Sequence, residues 1–225
     1  MNNINEICKK LNNIDDLKSE ESVKQILKDV AIEILAYTQA YRISICLYDE
    51  YRKILNPYIC VGYTNNSIEE LNEIHIDDDV LKKIIYGKLL SGEFIKLEDL
   101  QKYGHSTKYI NNMPKDIKYL GCYKIVVDEQ FIGVLNISYK EELLWEKTSN
   151  ECIKFICKMM AVIIRSSKLN EIIKIESKKR IMVENELDDY LDTSADLFSV
   201  FDIKGNLIKV SSSWKKILGW EISEL

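Results

Sequence analysis

The chain of 225 residues carries a formal charge of −5 and a pI near 5.3, with 46% hydrophobic and 30% charged residues, a balance that specifies a folded core rather than disorder. The acidic sign excludes a nucleic-acid partner, which needs a concentrated basic surface. The best basic cluster, Lys178-Lys179-Arg180, lies between Glu176 and Glu184 and reads as a solvated helix face. The longest apolar run, Met159 to Ile164, is far short of the roughly 20 residues that cross a bilayer, which excludes a membrane partner.

The first segment, 1–18, opens MNNINEICKK without the apolar stretch of an export signal, so a cytoplasmic location is expected. Ser19 is placed to cap a helix, with Glu20 and Glu21 complementing the dipole of its first turn. Val23, Ile26, Leu27, Val30 and Ile34 then share one helical face. From Arg42 to Tyr48, Ile43, Ile45 and Leu47 alternate with Ser44 and Cys46, the pattern of a half-buried strand. A turn over Asp49 to Arg52 leads into a second strand, Ile54 to Gly62, where Pro57 calls for an edge position or a bulge.

A mixed region opens at Asn65-Asn66-Ser67. Asp77-Asp78-Asp79 predicts a capped helix ending at Gly87, and residues 99–116 read as a loop. Ile117 to Val127 and Phe131 to Tyr139 form the strongest hairpin signal, joined by Asp128-Glu129-Gln130, and Gly133 marks a bulge or a close contact. From about Ser149 to Leu187 the period is helical. Cys152, Phe155, Met159, Val162, Ser166, Leu169, Ile173, Glu176, Arg180, Val183 and Leu187 follow 3-and-4 spacing, the seam of a coiled coil.

A second apolar face, Ile153, Ile156, Met160, Ile163 and Ile164, is confined to the first half of this helix. That half is expected to pack on its own domain, and the rest to project and pair in a homodimer, with a rod of roughly 55 Å. An amphipathic terminal helix folded back on one domain is the competing reading. The chain then closes on two short apolar runs, Phe198 to Phe201 and Leu207 to Val210, around Asp202-Ile203-Lys204-Gly205-Asn206. Trp214 to Leu218 follows as a short helix stopped by Gly219.

The strands RISICLY and YICVGY, the pair IKYLGCYKIVVDEQFIGVLNISYK and the long terminal helix together resemble a GAF domain over residues 19–167. The stretch FSVFDIKGNLIKVSSSWKKILGWEISEL resembles the start of a PAS domain, with Asp202, Gly205, Trp214, Leu218, Gly219, Trp220, Glu224 and Leu225 on matching positions. Ser211 replaces a frequent Asn there, which is expected to loosen the turn. The resemblances imply an α+β protein: a GAF-like antiparallel sheet flanked by helices, a coiled-coil helix over 168–188, and an incomplete PAS-like segment over 189–225. A PAS domain needs about 100 residues, so poor packing is expected beyond about residue 190 and the chain is expected to be the front of a longer protein.

The implied function is sensory input to a bacterial cytoplasmic signalling protein, foremost a two-component histidine kinase. A diguanylate cyclase or phosphodiesterase, or a ligand-free dimerisation module, is the alternative. No phosphate loop, dinucleotide fingerprint, zinc-protease motif or nucleophile elbow occurs in the sequence. His75 precedes Asp77-Asp78-Asp79, but those acids serve better as a helix cap than as metal ligands. GAF pockets lie between the loop before the hairpin and one sheet face, which makes Cys60, Tyr63, His105, Tyr109 and Tyr123 the candidate contacts for a small-molecule ligand; no cofactor is specified. The GAF resemblance also includes enzymes that reduce free methionine sulfoxide with cysteines in Gly-rich loops. Here Cys46, Cys60 and Cys122 lie on strands, and with Cys8, Cys152 and Cys157 they read as reduced core thiols.

Overall fold

The computed structural model describes Ile7, Leu11 and residues 19–64, 74–75, 91–96, 115–141 and 150–219. The expected helix ending at Gly87 and most of the loop over 99–116 lie outside them. Two compact units divide the chain, Met1–Asn170 and Glu171–Leu225.

In the first unit, helix α1 (Glu20–Thr38) starts where the Ser19 hydroxyl accepts the Ser22 amide at 3.2 Å. It stops at Gln39, whose left-handed backbone (φ 53°) lets its N–H return to the Leu35 carbonyl. Val23, Leu27, Val30 and Ile34 are buried on the expected face, and Ile26 packs at its margin.

Six strands form one antiparallel sheet: β1 (Arg42–Asp49), β2 (Ile54–Val61), β3 (Ile74–His75), β4 (Ser91–Lys96), β5 (Tyr119–Val127) and β6 (Gln130–Tyr139), in the order β3-β2-β1-β6-β5-β4. β3 and β4 are strands that the apolar pattern did not single out. Pro57 does sit at a bulge. The β1–β2 register passes from Ile45↔Ile59 to Cys46↔Pro57 and skips Tyr58, so the ring occupies a site where the ladder is already interrupted.

The expected hairpin is β5–β6. Asp128 and Glu129 both adopt positive φ (46° and 62°), the signature of a two-residue type I′ turn that matches strand twist. Gly133 combines both roles its position suggested. The β5–β6 register slips beside it, and a Cβ at residue 133 would lie 2.1 Å from the Cys46 carbonyl oxygen. Only a hydrogen fits between those strands.

One sheet face, with Ile43, Ile45, Tyr123, Ile125, Leu135, Ile137 and Tyr139, shares a continuous core with α1. The same core takes in Ile153, Ile156, Cys157, Met160, Ala161, Ile163 and Ile164 of helix α2 (Asn150–Thr193). The expected inner face of α2 is thus buried against the sheet, and Tyr123 fastens its start by donating to the Asn150 side chain at 2.7 Å. The half-buried pattern assigned to β1 needs correction. Its polar side is buried too: Arg42, Ser44 and Cys46 are all buried, and Ser44 and Cys46 join a hydrogen-bonded network there.

Helix α2 continues for 44 residues, past Leu187 to Thr193, and every residue from Lys168 to Leu187 is exposed. In the second unit, β7 (Ser199–Phe201) and β8 (Leu207–Val210) pair antiparallel. The Asp202 carboxylate accepts the Lys204 and Asn206 amides at 2.8 Å each and the Asn206 side chain at 2.7 Å, while Gly205 takes φ 86°.

Ser211, expected to loosen this element, ties it instead. Its buried hydroxyl donates to the Asp196 carbonyl at 2.9 Å and accepts the Phe198 amide at 3.1 Å. One wide, π-type turn, Trp214–Leu218, closes on Gly219 at φ 75°. Val200, Phe201, Ile203 and Ile208 are exposed.

Candidate functional site

Alternation in β1 and β6 places Arg42, Ser44 and Cys46 on one face of the sheet with Asn136 and Ser138. Register sets Arg42 opposite Ser138 and Ser44 opposite Asn136. Cys60 of β2 lies across from Ser44, and Cys122 of β5 across from Asn136. This is the side opposite the α1–α2 core, and Arg42, Ser44, Cys46, Cys122, Asn136 and Ser138 are all buried there.

A network holds the centre of that face. The Asn136 amide donates to Ser44 Oγ at 3.2 Å and to Cys46 Sγ at 3.7 Å, and its carbonyl accepts the Cys122 thiol at 3.0 Å. Tyr63, just after β2, donates its hydroxyl to Ser44 Oγ at 3.3 Å. Gly62 makes this reach available: at φ 80°, a side chain there would meet the Tyr41 carbonyl at 2.6 Å. The Arg42 guanidinium lies 4.5 Å from the centre of the Tyr63 ring. Arg42 Nε and Ser138 Oγ, buried register neighbours, have no hydrogen-bond partner among the described residues.

Burial governs the titration of the face. It raises the Cys46 thiol to about 12 against the opposing hydrogen bond that the thiol makes to Ser44, and the Cys60 thiol to about 11 against the lowering pull of Arg42. Tyr63 is pushed up to about 12 for the same reason, and Cys122 rises as well. Neutral, buried thiols are poor nucleophiles, so the arrangement suits binding and not thiolate chemistry. Cys46, Cys60, Cys122, Cys152 and Cys157 are reduced thiols in no disulfide, and Cys8 lies outside the described residues. Among the described residues no three His, Cys, Asp or Glu side chains are placed to hold a metal ion.

Of the candidate contacts, Cys60 and Tyr63 meet on this face. Tyr123 points the other way, into the core beside Leu135, as strand parity demands for a neighbour of Cys122. His105 and Tyr109 lie outside the described residues. Arg42, Ser44, Asn136 and Ser138 were not among the candidates, although matched polar positions two apart on adjacent strands carried the signal.

Along the seam, Phe155, Val162, Leu169, Ile173, Val183 and Leu187 are exposed, and Met159 is half-buried at the core margin. No helix among the described residues is long and apolar enough to cross a membrane.

The sequence matches no protein-family profile and none of the curated proteins. Solved structures are informative. The GAF domain of a phosphoenolpyruvate-protein phosphotransferase from Coxiella burnetii superposes with a TM-score of 0.55 at 15% identity, covering 76% of this chain and 95% of that one. The corresponding Acinetobacter GAF domain gives a TM-score of 0.51 at 15% identity, covering 75% of this chain and 93% of that one. At such identity the likeness speaks for architecture alone: the chain carries the α+β fold of GAF domains, followed by a long helix.

Proposed function

We propose that the chain is the sensory input region of a bacterial cytoplasmic signalling protein, with a two-component histidine kinase as the parent. In this reading residues 19–167 form a GAF-type receiving domain, 168–188 a dimeric signalling helix, and 189–225 the opening of a PAS domain. The observation that carries it is the division of helix α2. Its first half is built into the sheet core, while its later half exposes Leu169, Ile173, Val183 and Leu187 in a heptad line. The apolar residues of the β7–β8 hairpin, Val200, Phe201 and Ile208, are exposed in the way a sheet element is before further strands and helices cover it.

A ligand on the polar face would bear on β5 and β6 from one side while α2 leans on the same strands from the other. Asn136 faces the polar side, and its neighbours Leu135 and Ile137 face the helix, so one strand reads both. A preference of a few kcal/mol for one of two helix packings suffices to move such an equilibrium. In a parallel pair, Lys179 and Glu184 would flank the seam as a complementary charge pair between sister helices.

Disulfide trapping tests the arrangement. With the native chain as reference, Val183→Cys should cross-link two copies through residue 183, whereas Lys178→Cys, on the outer side of the rod, should not. Equal trapping at both positions, or at neither, would remove the dimeric signalling helix from the reading.

A further inference from the structure

We propose that the polar sheet face takes a small ligand through an oxyanion group, a carboxylate or a phosphate, seated against the Arg42 guanidinium and the Ser138 hydroxyl. This deepens, and rests on, the reading of that face as the ligand site.

Arg42 is only 4% exposed and Ser138 0%, and both keep an unpartnered polar atom, Nε and Oγ, side by side in the β1–β6 register. An arginine cannot discard its charge at any working pH. A buried guanidinium therefore calls for a counter-charge, and the described residues of the face supply none. Among the described residues no carboxylate forms an ion pair with it. Asp116, whose carboxyl feels the field of Arg42, is committed to Lys140 at 2.5 Å.

The groups that could ionise beside Arg42 do not do so near neutrality. Cys46, Cys60 and Tyr63 are held protonated by burial, with values of about 12, 11 and 12. The Tyr63 ring offers its π face to the guanidinium, and the in-plane Nε donor keeps no partner among the described residues. Guanidinium donors match the geometry of a carboxylate or phosphate edge. Ser44 adds to the cradle: its oxygen accepts from Tyr63 and Asn136, which frees its own proton to donate. Beyond these groups the same face carries the thiols of Cys46, Cys60 and Cys122, which suit the body of a small organic acid.

The test is thermal unfolding of the full chain at constant ionic strength, with sodium acetate or sodium phosphate replacing sodium chloride. The native chain should gain about 5–10 °C at a hundredfold excess of the binding anion over its Kd. A response to acetate alone identifies a carboxylate, and a response to phosphate alone identifies a phosphate. Arg42→Met should abolish the gain, and Ser138→Ala should reduce it. Arg42→Lys, which keeps the charge and loses the fork, should also reduce it and serves if the methionine variant does not fold.

No gain in the native chain with either anion, or an undiminished gain in both Arg42 variants, overturns the proposal. A neutral molecule retained by the purified protein in native mass spectrometry would overturn the anion assignment and leave the sensor reading intact.

Discussion

Replacing Ile173 with Asp puts the dimeric seam to its sharpest test. Ile173 is 61% exposed in the single chain, so pairing would bury most of a side chain whose full burial is worth about 1.5–3 kcal/mol. Each copy therefore loses about 1–2 kcal/mol on substitution, and two copies lose about 3 kcal/mol between them. Two facing carboxylates inside the seam add repulsion and desolvation to that loss. At about 1.4 kcal/mol per tenfold, the dimer dissociation constant should rise by at least 100-fold. Because no residue from Lys168 to Leu187 contributes to the sheet core, the GAF fold should stay intact. Sedimentation velocity over a micromolar concentration series reads the first effect, and circular dichroism with thermal melting reads the second. An unchanged sedimentation profile with an unchanged melt would refute the seam. A collapse of the melt would refute the claim that this half of the helix contributes nothing to the core cluster.

Other expectations follow from the same packing. Glu129→Gly relieves a positive-φ residue in the type I′ turn and should stabilise the chain by about 0.5–1 kcal/mol in urea unfolding. Gly133→Ala drives a methyl into the Cys46 carbonyl and should cost about 3 kcal/mol or more, seen as a large drop in the denaturation midpoint. Cys60, raised from 9.0 to about 11, should react with iodoacetamide at pH 8 roughly 100-fold more slowly than a free cysteine, because the thiolate is that much scarcer. Since the folded thiols of Cys46 and Cys60 ionise above their unfolded value of 9.0, they favour the folded state below that pH. Stability should fall as pH climbs from 9.0 through about 11 and 12, which unfolding measured across that range will show.

Much of the fold was legible because burial writes a period into the chain. The α1 face, the β5–β6 hairpin, the Pro57 bulge, the Gly133 contact and the two faces of α2 all follow from spacing and from residues with restricted backbones. β3 is only two residues long and β4 sits in a segment without strong alternation, so neither left a periodic mark.

The site was less legible for a different reason. Polar residues alternating with isoleucine look like a solvent-facing strand edge, and only pairing reveals that Ser44 meets Asn136 and Arg42 meets Ser138. Tyr123 shows the converse, since residue type alone does not say which sheet face a tyrosine takes, whereas its parity with Cys122 does. Ser211 was judged by the residue it replaces, whereas its two hydrogen bonds depend on Asp196 and Phe198, thirteen or more positions away.

The two faces of α2 have a mechanical corollary. Phe155 and Val162 stand on the same turns as Ile156, Met160 and Ile163, so both sets hang from one hydrogen-bonded backbone that resists internal twisting. Repacking Met160 or Ile163 under the sheet must then swing Phe155 and Val162 through the same arc. Few additional moving parts are required: the helix behaves as an axle whose bearing is the sheet.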